Sequence, residues 1–267
     1  MKNILVIGAS GGMGNSICKL LSEKGYHVFG FDLKDSDTLN NIDNYHYIPC
    51  NITDSASITA AFEKIKNQVS VLDAIIHTAG IYDLDSLIEM DEERFLRIFN
   101  INLFGVYRIN KTFLPLLQKG SRIMITTSEL ATLDPLPFTG IYAVTKSALE
   151  KYSYSLRMEL NLLGIHVSVI RPGAVKTSLL GDSTRALDKF VDNTQLYQCN
   201  AVKFRKIVDS VEAKNIHPDK IANIALRALT SHHPKFIYNI NRNILLRILN
   251  ILPDHFQVWI IKQILRT

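Results

Sequence analysis

Short runs of apolar residues alternate along the chain with longer stretches in which apolar residues recur every three or four positions. The apolar runs predict strands at Ile4–Ile7, His27–Phe31, Tyr45–Ile48, Leu72–Ile76, Ile123–Thr126, His166–Ile170 and Lys235–Asn239. The periodic stretches predict helices at Met13–Lys24, Ser55–Val69, Glu92–Leu117, Tyr142–Leu163 and Pro218–Thr230. Apolar strands that alternate with amphipathic helices are typical of a parallel sheet covered on both faces. We therefore predict an α/β fold, a single domain spanning 1–267 with a doubly wound parallel sheet of about seven strands.

Two segments of the chain do not follow this alternation of predicted strands and helices. Residues 174–215 are polar and mixed, and they follow the sixth predicted strand. A long excursion at such a place is commonly a functional lid, so we predict a substrate-binding lid there. Residues 243–265 are apolar and basic but hold no run of about 18 apolar residues, so they do not predict a spanning helix. We expect an amphipathic pair of helices that packs on the domain or a partner, with peripheral membrane contact as the alternative.

Composition narrows the range of functions. With 267 residues, of which 47% are hydrophobic, the chain can bury a large core. The net charge of +5 comes from the C-terminal half, but its cations are dispersed and form no nucleic-acid motif, so we expect no nucleic-acid partner. Three scattered cysteines predict neither a disulfide framework nor a metal site. The first apolar run is too short for a signal peptide, which favours a cytoplasmic protein.

A glycine-rich turn follows the first predicted strand and leads into a helix. Its residues are Gly8, Ala9, Ser10, Gly11, Gly12, Met13 and Gly14. Glycines let the backbone turn tightly and approach a pyrophosphate, which the free N–H groups of the helix N-terminus stabilise. A glycine cluster alone is compatible with a simple tight turn. Between a strand and a helix, it favours a Rossmann-type dinucleotide site at Gly8, Ser10, Gly11, Gly12, Met13 and Gly14.

Asp32 closes the second predicted strand, 24 residues after Gly8. A carboxylate at this place is suited to accept hydrogen bonds from the ribose hydroxyls of an adenosine. It would repel a 2′-phosphate, so we predict NAD as the cofactor and regard NADP as the less favoured one. Lys34 is the residue that could attract such a phosphate. The alternative role for Asp32 is to cap a turn at the strand end.

Tyr142 and Lys146 are four positions apart on a predicted helix, so their side chains project from one face. A nearby ammonium favours phenolate over phenol, and we therefore predict that Lys146 lowers the pKa of Tyr142. A tyrosine tuned in this way can exchange a proton with a carbonyl or an alcohol. Tyrosine and lysine also meet at this spacing by chance in surface helices. The glycine-rich turn and Ser128 upstream turn the pair into a hypothesis about catalysis.

Taken together, these motifs resemble those of the classical short-chain dehydrogenase/reductase family along nearly the whole chain. The family's glycine pattern matches Gly8, Gly12 and Gly14, although Ile7 stands where a threonine is usual. Its Asn-Asn-Ala-Gly element resembles residues 77–80, where Ala79 and Gly80 would let the nucleotide approach.

Further correspondences extend the resemblance. The catalytic asparagine corresponds to Asn102, with Asn100 as the competing candidate, and the catalytic serine to Ser128, with Thr127 as a weaker substitute. The matches that would bind the cofactor are Asn51 and Ile52 beside the adenine, and Pro172, Gly173, Val175 and Thr177 around the nicotinamide carboxamide. His77 and Thr78 depart from the usual pair, and we expect a structural role for His77.

The resemblance implies hydride transfer between a nicotinamide and a carbonyl or secondary alcohol. Tyr142 would be the general acid/base, Ser128 would bond the reacting oxygen, and Lys146 would also bond the nicotinamide ribose. Asn102 would anchor a water that continues the proton relay. Relatives of this kind are commonly homodimers or homotetramers, built from helices that correspond to 92–117 and 142–163.

The residues predicted to contact the substrate are mostly apolar. The predicted lid and the segment before Tyr142 supply an apolar set, namely Leu130, Leu133, Leu136, Phe138, Leu179, Leu180, Phe190, Leu196 and Tyr197. Such a lining suits a small hydrophobic alcohol or ketone, for example a steroid, bile acid or retinoid-like molecule, though lids also use apolar residues simply to close. Two other functions stay open, a nucleotide-binding regulator without turnover and an epimerase or dehydratase. The glycine spacing and the modest length argue against the latter.

Overall fold

A computed structural model describes residues 2–40 and 42–266, with side chains outside 178–183. Within these residues, seven parallel strands form one sheet in the order β3-β2-β1-β4-β5-β6-β7. The strands are β1 (Asn3–Ile7), β2 (His27–Asp32), β3 (Tyr45–Pro49), β4 (Ala74–His77), β5 (Arg122–Thr126), β6 (His166–Pro172) and β7 (Ile237–Ile240). The strand order reverses between β1 and β4, which opens a crevice at their carboxyl ends. The predicted doubly wound sheet is confirmed.

Helices cover both faces of this sheet. They are α1 (Gly12–Glu23), α2 (Ser55–Lys66), α3 (Glu92–Phe99), α4 (Gly105–Phe113), α5 (Gly140–Asn161), α6 (Ser178–Asn193), α7 (Gln198–Glu212), α8 (Asp219–Thr230), α9 (Ile244–Leu249) and α10 (Asp254–Leu265). Helices α1 and α8 pack on one face, and α2, α4 and α5 pack on the other. The sheet is therefore the buried middle layer of three.

The side chains of the central strand β1 point alternately to the two faces of the sheet and are buried on both. Ile4 and Val6 of β1 belong to the cluster beneath α1 and α8, whereas Leu5 and Ile7 belong to the cluster beneath α2 and α4. All four side chains are buried. Because successive side chains of a strand point to opposite faces, a run apolar at every position is what a sheet covered on both sides requires.

The predicted helix over Glu92–Leu117 is interrupted in the structure. Helix α3 ends at Phe99, residues Asn100–Phe104 form one π-helical turn, and α4 is followed by a 3₁₀ turn at Leu114–Leu116. The wider turn carries Asn102, whose side chain is fully buried. Gly105 follows it because a Cβ there would lie 2.7 Å from a side-chain carbon of Ile52. The apolar periodicity predicted the helices but not the turn that joins them.

The segment predicted as a lid is largely helical. Its ends meet, since Val175 and Ile216 form a parallel bridge and the Lys176 N–H donates to the Ile216 carbonyl at 2.8 Å. Between these ends, α6 and α7 pack with α10 around buried Phe190 and Phe204. This cluster is separate from the sheet cores, so the segment is a helical layer built above the edge of the sheet.

The predicted pair of C-terminal helices is present as α9 and α10. Among the described residues, we find no helix that combines the length and the apolar composition needed to cross a bilayer.

Candidate functional site

A cleft of about 900 Å³ opens at the carboxyl ends of β1, β2 and β4. Most of the residues predicted to bind a cofactor line it, namely Gly8, Gly11, Gly12, Met13, Gly14, Asp32, Asn51, Ile52, Ala79, Gly80 and Thr177. The topology brings these residues together because the carboxyl ends of parallel strands share one edge of the sheet. Additional lining comes from α3, the π-helical turn and α4, including Arg97 and Arg108, which the sequence analysis missed.

Steric constraints explain the glycines of the first turn. Gly8 has a φ of +84°, and a Cβ there would lie 2.5 Å from the Ala79 nitrogen. A Cβ on Gly14 would lie 2.0 Å from the Gly8 carbonyl oxygen. Gly11 is the N-cap residue of α1 and has no side chain to cap it, so the first N–H groups of this helix remain available for an anion in the cleft. The turn therefore fits a pyrophosphate.

The carboxylate of Asp32 is held in place by two backbone donors. The Ser10 N–H donates to Oδ2 at 3.0 Å and the Leu33 N–H donates to Oδ1 at 2.7 Å. The Ser10 hydroxyl donates to the Lys34 carbonyl at 2.5 Å. Ser10 thus braces the loop after β2 and does not line the cleft, in contrast to its predicted contact with the cofactor. Its part in the site is to position Asp32.

Asn51 also acts through a local turn. Its Oδ1 accepts hydrogen bonds from the Thr53 N–H at 3.0 Å and the Thr53 hydroxyl at 2.7 Å. Asn51 and Ile52 both line the cleft, at the end of β3 where the sequence placed them.

A second cavity of about 130 Å³ adjoins the cleft and shares Met13, Gly80 and Thr177 with it. The side chains of Ser128, Tyr142 and Lys146 line this smaller cavity. Ser128 follows β5, whereas Tyr142 and Lys146 lie in the first two turns of α5. The predicted catalytic groups therefore lie at the boundary between the large cleft and the small apolar pocket.

Burial determines the protonation of Tyr142. Its side chain is hydrogen-bonded to Ser128, and the ring of Tyr82 packs edge-on against it with the ring centroids 4.5 Å apart. Desolvation raises the pKa of Tyr142 to about 12, although the Ser128 hydrogen bond acts to lower it, and the Glu129 carboxylate adds to the rise. At neutral pH the phenol is therefore a proton donor.

Lys146 is buried beneath the same ring. Its Nζ lies 5.6 Å from the Tyr142 ring centroid and donates to the Thr126 carbonyl at 3.2 Å. Burial lowers the pKa of Lys146 to about 8. The groups that shift the pKa of Tyr142 are Ser128 and Glu129, and burial sets the net direction, which is upward. The prediction that Lys146 lowers the pKa of Tyr142 is therefore wrong for the cofactor-free protein.

Asn102 fixes the backbone beside these groups. Its Oδ1 accepts from the Ile81 N–H at 2.8 Å, and its Nδ2 donates to the Ile81 carbonyl at 2.9 Å and to the Thr145 hydroxyl at 3.1 Å. A Cβ on Gly80 would lie 3.2 Å from Asn102 Oδ1 and 3.4 Å from Lys146 Nζ. Asn102 therefore joins the loop after β4 to α5 at the point where Lys146 is buried. The competing Asn100 instead accepts a hydrogen bond from Arg108.

The end of β6 forms the opposite wall. Pro172, Gly173 and Val175 line the smaller cavity, and Thr177 lines both cavities. A Cβ on Gly173 would lie 2.0 Å from the Asn241 carbonyl oxygen, so only glycine lets the segment after β7 pack here.

The apolar pocket overlaps the predicted substrate set only in part. Leu130 and Leu136 line it, whereas Phe138, Phe190 and Tyr197 form an aromatic cluster beside it. Leu133 lines neither cavity, Leu196 is exposed, and the side chains of Leu179 and Leu180 lie outside the described residues. The structure adds a group that the sequence analysis missed, namely Tyr82, Phe204, Ile207, Val208, Val211, Glu212 and Leu246. Four of them recur along α7 at i, i+3, i+4 and i+7, a signal that could have identified this wall.

His77 has the structural role predicted for it. Its Nε2 lies 2.8 Å from Asn110 Oδ1, and burial lowers its pKa to about 4, so the ring is neutral. Over the described part of the chain, no cluster of His, Cys, Asp and Glu has the arrangement of a metal site.

Comparison with known proteins identifies relatives of this chain. A sequence model of the short chain dehydrogenase family matches residues 2–188. The 3-ketodihydrosphingosine reductase of Bacteroides thetaiotaomicron is 29% identical over 87% of this chain and 85% of that protein. Estradiol 17-beta-dehydrogenase 2 of Mus musculus is 28% identical over 89% of this chain and 67% of that protein. The crystal structure of a short chain dehydrogenase family protein from Francisella tularensis has 26% identity and a TM-score of 0.73, covering 90% of this chain and 97% of that one.

Proposed function

Because the chain belongs to the short chain dehydrogenase family, we propose that it is a nicotinamide-dinucleotide-dependent oxidoreductase that interconverts a secondary alcohol and a ketone. The observation that carries this proposal is the position of Tyr142, Ser128 and Lys146 between a cleft of dinucleotide size and an apolar pocket. A proton donor in that wall is placed to act on an oxygen in the pocket.

The large cleft fits a dinucleotide in both shape and donor chemistry. The first turn of α1 offers N–H groups to a pyrophosphate, Asp32 offers carboxylate oxygens to a ribose, and Ala79 and Gly80 leave room beside them. When bound, the nicotinamide supplies or accepts the hydride. The carboxylate of Asp32 supports NAD over NADP, because a 2′-phosphate would meet a like charge.

The protein's own groups handle the proton. The Tyr142 phenol gives its proton from Oη to the substrate carbonyl oxygen, while the Ser128 hydroxyl, which is bonded to that phenol, orients the same oxygen. The Lys146 ammonium adds positive charge beneath the ring, and Asn102 holds the backbone that encloses it. The phenol is protonated at neutral pH and can therefore supply this proton.

The pocket supports a hydrophobic substrate. Its walls are formed by Leu130, Leu136, Phe204, Val208 and Leu246 among others. The two relatives described above are named for 3-ketodihydrosphingosine and for estradiol, both largely apolar molecules. We propose a hydrophobic alcohol or ketone, such as a steroid, bile acid or retinoid-like molecule.

The direct test replaces the proposed acid. Tyr142→Phe should abolish NADH-dependent turnover of a panel of hydrophobic ketones, followed at 340 nm, while NADH still binds with its fluorescence change. Tyr154→Phe is a matched control, because Tyr154 lies on the same helix but is exposed. Substantial residual turnover in Tyr142→Phe would refute the assignment. NADH binding without turnover in the unaltered protein would favour a regulatory nucleotide-binding role.

A second test concerns the cofactor. Asp32→Ala should raise the ratio of NADP to NAD activity, because it removes the carboxylate that would repel a 2′-phosphate. Asp35→Ala, on the loop just beyond, serves as the control. An unchanged ratio in Asp32→Ala would show that Asp32 does not select the cofactor.

We also propose how the protein is organised. The chain would act as one domain over 1–267 with 174–215 as its lid. Exposed apolar side chains on α4 and α5, such as Tyr107, Val144 and Met158, support a homodimer or homotetramer built on these helices. Free Cys18, Cys50 and Cys199 suit the reducing cytoplasm. Sedimentation velocity of the purified protein tests the assembly.

A further inference from the structure

The two C-terminal helices expose several large apolar side chains. In α9 and the turn after it, Leu245 is 70% exposed, Ile248 is 54% exposed and Ile251 is 81% exposed. In α10, Phe256 is 51% exposed and Trp259 is 58% exposed. We call these five residues the docking face. So many large apolar groups on one short segment are characteristic of an interaction surface.

The segment that carries the docking face is firmly attached to the domain. Helix α10 packs on α7 through Ile261 and buried Leu265, and Asn200 Nδ2 donates to the Leu265 carbonyl at 2.7 Å. Gln257 is buried on the same side and its Nε2 donates to the Leu252 carbonyl. The helix therefore has a packed inner side and an outer side that other described residues do not cover.

Charge indicates what covers the outer side. Arg247, Lys262 and Arg266 are exposed on the same segment as the apolar residues, and Asp254 is the one acidic residue between positions 242 and 266. In a two-fold dimer the same patch meets itself, so these cations would face each other and repel. An apolar face bordered by cations is instead complementary to the acyl and headgroup region of an anionic bilayer.

We propose that the docking face lies on the surface of a bilayer with anionic headgroups. The two short helices would rest in the interface without crossing it, with Trp259 at headgroup level, where tryptophan is favoured.

This placement has a consequence for the substrate pocket. Leu246, between two residues of α9 that are exposed, lines the apolar cavity beside Tyr142. The helix that touches the bilayer would then also be a wall of the pocket, so that a hydrophobic ketone dissolved in the lipid reaches the pocket along α9. This second step rests on the proposed function, whereas the docking itself does not.

Trp259 is the single tryptophan of the chain, so tryptophan fluorescence, excited selectively over that of the tyrosines, reports on the docking face alone. Vesicles that mix phosphatidylcholine with phosphatidylglycerol should shift its emission to the blue, protect it from acrylamide and sediment with the protein. Vesicles of pure phosphatidylcholine should bind more weakly, and added salt should weaken binding to the anionic vesicles. Absence of a shift and of cosedimentation with anionic vesicles would overturn the proposal, and this arm needs no substitution.

Variants localise the contact. Leu245→Glu/Ile248→Glu should lower the vesicle partition coefficient at least about tenfold, because two apolar groups leave the lipid and two charges replace them. Arg247→Gln should lower it about fivefold. Ile88→Glu is the matched control, since Ile88 is 75% exposed but lies in a loop outside the docking face. Equal binding by the double variant and the control would refute the assignment of the contact to α9.

Two further measurements separate the remaining outcomes. If Leu245→Glu/Ile248→Glu dissociates an oligomer in lipid-free sedimentation velocity and the unaltered protein ignores vesicles, the face is a contact between copies and the proposal fails. For access, the double variant should reduce a water-soluble ketone at the unaltered rate but a vesicle-borne hydrophobic ketone more slowly. Equal rates on the vesicle-borne ketone would refute access along α9. Vesicle binding without turnover of either ketone would leave docking established and the proposed function refuted.

Discussion

Replacing Lys146 by methionine should stabilise the cofactor-free protein, and the gain should shrink as the pH rises. Lys146 is buried, and its pKa falls from the ordinary 10.5 to about 8 on folding. The fold therefore disfavours the ammonium, whose charge is desolvated beneath the ring of Tyr142. Methionine keeps the length of the side chain without the charge.

The magnitude follows from proton linkage. Between pH 8 and pH 10.5, Lys146 binds more protons in the unfolded chain than in the folded protein. The free energy of unfolding therefore rises with pH over this range. The part that depends on Lys146 is fully present above pH 10.5 and is lost as the pH falls through 8. The resulting destabilisation is about 3 kcal/mol at pH 7 and about 1 kcal/mol at pH 10. The methionine variant also forfeits the hydrogen bond from Nζ to the Thr126 carbonyl, a loss of about 1 kcal/mol. A net gain of about 2 kcal/mol at pH 7 is expected, with little or none at pH 10.

The assay is urea unfolding of the unaltered protein and Lys146→Met at pH 7, 8, 9 and 10 without cofactor. The quantity of interest is the difference in the free energy of unfolding between the two proteins, because all other titrating groups are common to both. We expect this difference to change by about 2 kcal/mol between pH 7 and pH 10. A difference that stays constant over this range would show that Lys146 does not lose its proton there and would refute the reasoning.

Two other substitutions test the glycine-rich turn and the ion pair between Arg171 of β6 and Glu150 of α5. Gly14→Ala should lower the free energy of unfolding by about 1–3 kcal/mol and abolish NADH binding, because its Cβ would lie 2.0 Å from the Gly8 carbonyl oxygen. The control is Gly11→Ala, whose Cβ would lie 3.4 Å from the nearest atom and which should melt at the temperature of the unaltered protein. Equal thermal melting of the two variants would contradict this prediction. Arg171→Met should cost about 3–5 kcal/mol in urea unfolding because it strands the buried Glu150 carboxylate, and Arg171→Met/Glu150→Leu should recover part of that loss. Additive losses in the double variant would contradict the pairing.

The strands were predictable because burial on both faces leaves a simple signature. The run His27–Phe31 is apolar except for its first residue and Gly30, and β2 occupies it with one further residue, Asp32. The end of that strand then places Asp32 at the edge of the cleft without further information. Where a local pattern and the global topology agree in this way, the sequence is sufficient to predict the strand and the place of the residue at its end.

The wall formed by α7 was not predictable in the same way. Phe204, Ile207, Val208 and Val211 have the spacing of an ordinary buried helix face. Part of this face packs into a core and part of it borders a cavity, and that difference depends on where α6 and α10 place the helix. A periodic pattern reports that a face is covered but not what covers it.

The π-helical turn at Asn100–Phe104 is a related case. One extra residue in a turn offsets the apolar periodicity by a single position, which a pattern read over the whole of Glu92–Leu117 tolerates. The turn carries Asn102, whose side chain makes two hydrogen bonds to the Ile81 backbone, 21 residues earlier in the chain. Local propensity carries no information about such a partner.

The proposed catalytic pair, Tyr142 and Lys146, shows most clearly that spacing along a helix does not determine protonation. Four residues along a helix correctly place Lys146 near Tyr142, and in water an ammonium near a phenol lowers the pKa of the phenol. In the folded protein both groups are buried, and desolvation moves the two pKa values apart, to about 8 for the lysine and about 12 for the tyrosine. In the cofactor-free protein, burial therefore outweighs proximity, and the pKa of the phenol rises. A lower pKa for Tyr142 requires a change that keeps positive charge in the site, and the pH dependence of Lys146→Met measures how strongly the cofactor-free fold opposes that charge.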